Sequence, residues 1–269
     1  MKTIFVLQFV FIFSISCAAF ASGKAENDSP VTPVDISQPS MQEQYASGYW
    51  IARSSNNKLT IIGVSNIMTR CDREIASAKE DAARKVAMFY GIRTNIQTIN
   101  RTGANFFDYI LDSNIEIIPE TNYEIYIDQL TFDPQNDVLI TGEAVFVRFQ
   151  HDTRIPDIDY RVKMINNRPS WLRTQDLLEF NGYVTAVGFA QKQRRLKDTI
   201  SKSIEDAVVR IIEGLSTTVT AIEISETGRG SSNFIHTKSE GRLNDFRVID
   251  FWIEPETRFV YTLAIAKGE

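Results

Sequence analysis

The chain has 269 residues, with 34 acidic and 29 basic side chains and a formal net charge of -5. The basic residues are interleaved with acidic ones, so there is no basic patch for nucleic acid, and we expect no DNA or RNA partner. The length and an ordinary apolar fraction of 43% allow one or two globular domains with modest cores.

The first 21 residues are typical of a secretory signal peptide. Lys2 is followed by the apolar run 4–15 and by Ala19-Phe20-Ala21, which precede Ser22. The pattern predicts export to the periplasm or outer membrane. A second interpretation is a lipoprotein leader in which Cys17 is acylated, becomes the mature N-terminus and holds the protein on a membrane; a third is an uncleaved anchor.

Residues 22–48 are predicted to form a flexible tether. They are polar and contain Pro30, Pro33 and Pro39, and such a segment cannot bury enough apolar surface to offset the entropy of ordering. A tether after a leader suits a protein held near a membrane, although freely diffusing exported proteins have such segments too.

A duplicated segment dominates the rest of the sequence, running from Leu59 to Gly103 and again, without gaps, from Val184 to Gly228. The copies share these residues: Thr60/Thr185, Gly63/Gly188, Arg70/Arg195, Ile75/Ile200, Glu80-Asp81-Ala82/Glu205-Asp206-Ala207, Ile99/Ile224 and Thr102-Gly103/Thr227-Gly228. Internal repetition of this kind predicts two copies of one structural module. We place the modules at 49–150 and 171–269, with a proline-containing linker at 151–170.

Each module is predicted to begin with a strand and a long amphipathic helix. The first helix begins at Asp72 and ends before Gly91; the second begins at Asp198 or Thr199. Their apolar stripes are Ile75, Ala78, Ala82, Val86 and Phe89, and Ile200, Ile204, Ala207, Ile211 and Leu215. Gly63 and Gly188 lie inside the preceding strands, where glycine usually marks a close approach, so we expect each helix to pack directly over its strand.

The rest of each module is predicted to be mainly β-structure. In the first copy we expect a loop or short helix at 103–114, then strands at 123–132 and 138–150 joined by a turn at 133–137. In the second copy we expect a strand at 219–226, a surface loop at 227–233 and a closing hairpin at 247–266. The predicted fold class is therefore α+β: two tandem repeats, each a long helix packed on an antiparallel sheet in the order β-α-β-β-β.

The sequence contains no recognisable catalytic or metal-binding pattern. Histidine occurs only at His151 and His236, and the serine-hydrolase, zinc-protease and paired-cysteine motifs are missing. The Glu80-Asp81 pair is placed on a solvated helix face, because adjacent helical residues diverge by about 100° and do not converge on one ion. We expect no catalytic residue, metal or cofactor.

The residue pattern resembles the Lpp-twenty family of bacterial envelope lipoproteins, whose relatives include accessory proteins of the flagellar basal body at the outer membrane. The resemblance is carried by Tyr183, Gly188, Ala207 and Tyr261 in the second copy. The first copy matches more weakly, at Gly63 and Ala82. The resemblance implies an exported, commonly lipidated module with a helix across an antiparallel sheet and no known catalytic residues.

Three functions follow from these patterns. The first is a non-enzymatic envelope protein, a scaffold or interaction module that offers sheet edges and helix faces to other envelope proteins or to copies of itself. The second is a binding module for a small apolar or envelope ligand held between helix and sheet. The third is a carboxylate-based hydrolase.

Overall fold

The computed structural model describes residues 40–52, 57–68, 71–103, 106–156, 164–165, 168–173, 178–180, 182–215, 218–227 and 230–268. Residues 37–269 belong to one compact unit. The predicted leader, with Cys17, and most of the predicted tether lie outside the described residues.

Four α-helices occur in the described residues: α1 (Met41–Ser47), α2 (Cys71–Tyr90), α3 (Glu124–Ile127) and α4 (Leu196–Leu215). The strands are β1 (Tyr49–Ile51), β2 (Lys58–Asn66), β3 (Ile92–Gly103), β4 (Phe106–Pro119), β5 (Val138–Ile140), β6 (Ala144–Arg154), β7 (Met164–Ile165), β8 (Arg168–Pro169), β9 (Leu178–Phe180), β10 (Tyr183–Ala190), β11 (Thr218–Thr227), β12 (Gly230–Ile253) and β13 (Val260–Gly268). A 3-10 helix covers Ser170–Arg173.

The fold is α+β, with antiparallel sheets and few helices. The larger sheet has the order β4-β3-β12-β13-β10-β9, with β1 and β11 also paired to β12. A second sheet has the order β2-β6-β5, and β7 and β8 form a separate pair. The strand β12 spans 24 residues and pairs along one side with β11 and then β13, and along the other with β3 and then β1.

The two long helices lie where the apolar periodicity predicts them. The stripe of α2 is buried from Ala78 to Phe89, and α4 begins at Leu196, slightly earlier than predicted. Leu215 corrects the predicted stripe of α4: it is the last helical residue and is 41% exposed, because the helix ends there.

The predicted tether is wrong at its C-terminal end. Residues 41–47 form α1, and Ser40 and Glu43 cap it with reciprocal hydrogen bonds between side chain and backbone. Met41 and Gln44 are buried, and the Gln44 side-chain oxygen accepts a 2.7 Å hydrogen bond from the backbone N–H of Ile51. Apolar contact and this bond therefore hold α1 against β1.

The predicted linker is also wrong at its start. The strand β6 continues to Arg154, and His151 is 4% exposed. The polar composition of 151–154 does not exclude a strand, because a strand can bury alternate polar side chains where these form hydrogen bonds.

Three other predicted segments differ from the structure. Residues 106–119 form β4 rather than a loop or short helix, and the predicted strand at 123–132 contains α3 instead. The predicted surface loop at 227–233 is mostly strand, since β11 and β12 form a tight hairpin. The turn at 133–137 is confirmed: the Asp137 N–H donates to the Asp133 carbonyl at 2.8 Å.

The main core is shared by both halves of the chain. The Trp50 ring stacks on Phe146 with centroids 4.1 Å apart and on Phe251 at 5.4 Å. Ile200 and Ile211 of α4 belong to the same buried cluster. The segments that the sequence assigns to separate modules therefore pack against each other, as expected for small units with limited cores.

Candidate functional site

The two glycines singled out in the sequence lie directly under the long helices. A Cβ at Gly63 would be 2.1 Å from the Ala78 carbonyl oxygen, and a Cβ at Gly188 would be 2.0 Å from the Ser203 carbonyl oxygen. Ala207 is also within this second contact, since its backbone nitrogen would be 2.4 Å away. The predicted close packing of helix on strand is confirmed, and these glycines serve packing.

An aspartate in each helix reaches the strand beside the glycine. The Val64 N–H donates to the Asp81 carboxylate at 2.9 Å, and the Phe189 N–H donates to the Asp206 carboxylate at 2.8 Å. Each carboxylate also forms a salt bridge with a basic residue one helical turn later. Asp81 pairs with Lys85 at 2.8 Å in α2, and Asp206 pairs with an arginine in α4. The contact is the same in both copies.

Asp81 corrects the sequence interpretation. The sequence pattern predicts a solvated position for it, but Asp81 is 8% exposed, while its neighbour Glu80 is exposed as predicted. Lys85 also donates to the Ile62 carbonyl oxygen at 2.7 Å. The signal that could have revealed this role is the recurrence of the Glu-Asp pair at the same place after both glycines.

The other family-pattern residues are packing residues too. Ala82 and Ala207 are fully buried on the inner faces of α2 and α4. Tyr261 packs against Trp252, with ring centroids 5.6 Å apart. The structure therefore places Gly63 against the helix that contains Ala82, and Gly188 against the helix that contains Ala207. It does not bring these residues together in one cleft.

Tyr183 lies in a small charged cluster. Its hydroxyl donates to Asp245 at 3.1 Å, and the Lys267 ammonium lies 4.7 Å from the ring centroid. Burial and the neighbouring Asp245 carboxylate raise the pKa of Tyr183, so the phenol keeps its proton at neutral pH. The cluster ties β10 to the end of β13 and to β12.

His151 is held by hydrogen bonds at both ring nitrogens. Nδ1 lies 2.7 Å from the Thr153 hydroxyl and Nε2 lies 3.1 Å from the Gln129 side-chain oxygen. Burial lowers the pKa of His151. The neutral ring is thus fixed in place as a structural group.

Among the described residues, no group of three or more His, Cys, Asp or Glu side chains is arranged to hold a metal ion. A cavity of about 30 Å³ lies between β2, α4 and β12. Its walls include Ile62, Ile204 and Phe251. This volume holds one or two water molecules, which does not favour the small-ligand hypothesis.

The feature with the clearest capacity for interaction is a four-stranded ribbon, which we define as β3 and β4 with β11 and the first half of β12. Two hairpins build it: β3 with β4, and β11 with β12. They join because β3 pairs with β12 from Ile92↔Leu243 to Gly103↔Ser232. The strand order across the ribbon is β4-β3-β12-β11.

The base of the ribbon is fixed to the rest of the molecule. Ile96 and Leu243 are buried in the main core. Glu120, just after β4, accepts hydrogen bonds from Arg93 of β3 at 2.9 Å and from Arg242 of β12 at 2.6 Å. These two bonds hold the pKa of the Glu120 carboxyl below its usual value, so the link between the hairpins is charged at neutral pH.

Both outer edges of the ribbon are unpaired within the part of the chain that the structure describes. β4 pairs with β3 and β11 pairs with β12, and no other described strand adds to either side. β4 spans 14 residues and β11 spans 10. Long unpaired edges present rows of backbone donors and acceptors that readily pair with another chain.

The ribbon is not evident from the local sequence pattern. Its strands alternate polar and apolar residues over segments richer in Thr, Ser and Asn than most core strands, and the pairing of β3 with β12 joins residues far apart in the chain. The available signal was the Thr-Gly pair that both copies share, since its described members, Thr102, Gly103 and Thr227, lie at the ends of β3 and β11.

No family model matches the chain, and no curated protein or solved structure matches it. No helix of the described residues is both long and apolar enough to cross a membrane.

Proposed function

We propose that this chain is a non-enzymatic, exported cell-envelope protein that mediates protein–protein assembly through the outer edges of its ribbon. The observation that carries the proposal is a pair of long edge strands, β4 and β11, whose outer sides no other described strand pairs with, on a ribbon anchored to a packed body. Backbone pairing at such an edge supplies affinity without a preformed pocket.

The proposal includes an origin of the fold by duplication. The matched contacts of Asp81 and Asp206, and of Gly63 and Gly188, support two tandem modules with a helix on a sheet. In this arrangement the hairpin β3-β4 corresponds to β11 with the first half of β12. The resemblance to the Lpp-twenty lipoproteins is consistent with it and is part of the proposal.

The attachment to the envelope follows one of two routes. Acylation at Cys17 would put the protein on a membrane, and cleavage before Ser22 would release it into the periplasm. Mass spectrometry of the mature N-terminus after fractionation distinguishes them. A mature protein that keeps Met1 and stays in the cytoplasm would contradict export.

The assembly role is tested by placing lysines on both edge strands. Lysine on an edge strand discourages pairing with another chain. We expect Asn114→Lys with Ser225→Lys to reduce the size of the native complex in envelope extracts, measured by gradient sedimentation. The control adds the same charges at exposed sites outside the ribbon, Gln42→Lys and Gln191→Lys.

The control chain should sediment like the unmodified protein. Identical sedimentation of the edge variant and the unmodified protein would contradict the proposed role of the ribbon. Circular dichroism of both variants checks that the fold is retained.

A further inference from the structure

We propose that the partner at these edges is a second copy of the same chain, and that β11 of one copy pairs antiparallel with β4 of the next. Copies would then join head to tail into one continuous sheet with four ribbon strands from each. This inference rests on the proposed function, which requires only that the edges bind a protein.

The first argument is that the chain already contains such a junction. Within one copy, the first strand of the first hairpin, β3, pairs with the second strand of the second hairpin, β12. The sequence repeat makes β11 the counterpart of β3. Because β4 follows β3 and β12 follows β11 in matching hairpins, β4 is the counterpart of the first half of β12. The same junction, repeated one module further, therefore joins β11 to β4 of another copy.

The second argument is that strand direction permits this pairing. Each neighbouring pair in the order β4-β3-β12-β11 is antiparallel. The strands therefore alternate in direction, and β11 runs opposite to β4. A further copy added beyond β11 continues the alternation without reversing the molecule.

The third argument is that the two free edges differ from each other and are complementary. An interface between two different patches repeats from copy to copy, producing a ring if the rotation closes and a filament if it does not. A protein that bound an unrelated extended segment would need one such edge. The part of the chain that the structure describes has two, one at each side of the ribbon.

The internal junction also fixes the register. Asn100 of β3 faces Ile235 of β12, and Ser225 occupies in the second copy the place that Asn100 occupies in the first. In the proposed junction between copies, Ser225 of β11 therefore faces the residue of β4 that is the counterpart of Ile235.

That counterpart is Asn114. Ile235 faces Ile222 in the second hairpin, and Asn114 faces Gln97 in the first. Ile222 and Gln97 hold the same position in the two copies. We therefore place Ser225 of one copy opposite Asn114 of the next, with the Cα separation of about 4.5–5.5 Å that facing strand residues have and that a disulfide accepts.

The experiment is disulfide cross-linking of the purified full-length chain carrying Cys71→Ser. Asn114→Cys and Ser225→Cys are made singly and together, and the parent Cys71→Ser chain, which keeps Cys17, sets the background. We expect the mixed single variants to give a dimer and the double variant to give a ladder of multimers on a non-reducing gel. Each single variant alone should stay at the background level.

A register control replaces Ser225→Cys by Glu226→Cys beside Asn114→Cys, which moves one thiol to the other face of the sheet. Its cross-linking should be several-fold weaker. Equal cross-linking of either single variant with itself would overturn the inference, because it would show pairing of like edges.

A double variant that stays monomeric under oxidation would also overturn it. If the lysine substitutions on the edges still reduced the native complex in envelope extracts, the proposed function would stand with a different protein as partner. The proposed function and the identity of the partner as a second copy are therefore tested separately.

Discussion

At the scale of single residues, Gly63 and Gly188 let two helices approach two strands at backbone contact. Substitution by alanine would put a Cβ against helix backbone, which cannot rotate away. We expect Gly63→Ala and Gly188→Ala each to lower the free energy of unfolding by about 3 kcal/mol, at the upper end of the cost of overpacking. Urea denaturation measures the effect.

The control for both variants is Gly142→Ala. A Cβ there meets no atom within 4 Å, so its unfolding free energy should stay near that of the parent. A tolerated alanine at Gly188 would contradict the close packing.

Asp81 and Glu80 are adjacent, but the structure gives them different roles. We expect Asp81→Ala to cost about 1–3 kcal/mol of unfolding free energy, because the Val64 N–H loses its acceptor in a buried site. Glu80→Ala on the exposed side of α2 should change stability by less than about 0.5 kcal/mol. Equal effects of the two substitutions in thermal denaturation would show that Asp81, like Glu80, lies on the solvated face.

His151 should make stability depend on pH. Burial lowers its pKa below the ordinary value of 6.5, against a weaker opposing effect of Asp152, so the unfolded chain binds the proton more tightly than the folded one. The stabilisation that His151 contributes to the free energy of unfolding is complete above about pH 6.5 and is lost as the pH falls below that value.

His151→Gln removes this titration. We expect the unmodified chain to lose more thermal stability between pH 7.5 and pH 5 than the glutamine variant loses. A parallel decrease in both chains would show that His151 has the same pKa in the folded and unfolded states.

At the scale of elements, the sequence predicts those whose pattern is local. The apolar stripes of α2 and α4, and the turn at 133–137, are visible because helix periodicity and turn residues act over a few positions. The edge strand β4 and the first half of β12 are not, since local composition does not report them and β12 pairs there with a strand far away in the chain.

The short helix α1 gives a direct test of the corrected tether. Met41 is 3% exposed in the main core, and we expect Met41→Ala to lower the free energy of unfolding by about 2–5 kcal/mol. Gln42→Ala, one residue later on the exposed side, is the matched control and should be close to neutral. Equal stability of the two variants would mean that α1 is detached from the body.

At the scale of the whole molecule, the sequence predicts the α+β class, but not how closely the two halves of the chain are joined. The shared core around Trp50 and the pairing of β3 with β12 both connect residues from opposite halves. Hydrophobic pattern identifies residues on the buried face of each long helix. It does not identify which strand lies beside which.

The central claim is that the outer edges of β4 and β11 are occupied in the native assembly. Hydrogen exchange followed by mass spectrometry measures this directly, because backbone amides that gain a hydrogen-bond partner exchange more slowly. Peptides from 106–119 and 218–227 in the native complex should exchange more slowly than the same peptides in the dissociated Asn114→Lys, Ser225→Lys chain, while peptides from α2 and α4 should exchange alike. Equal exchange of the edge peptides in the two samples would contradict the account.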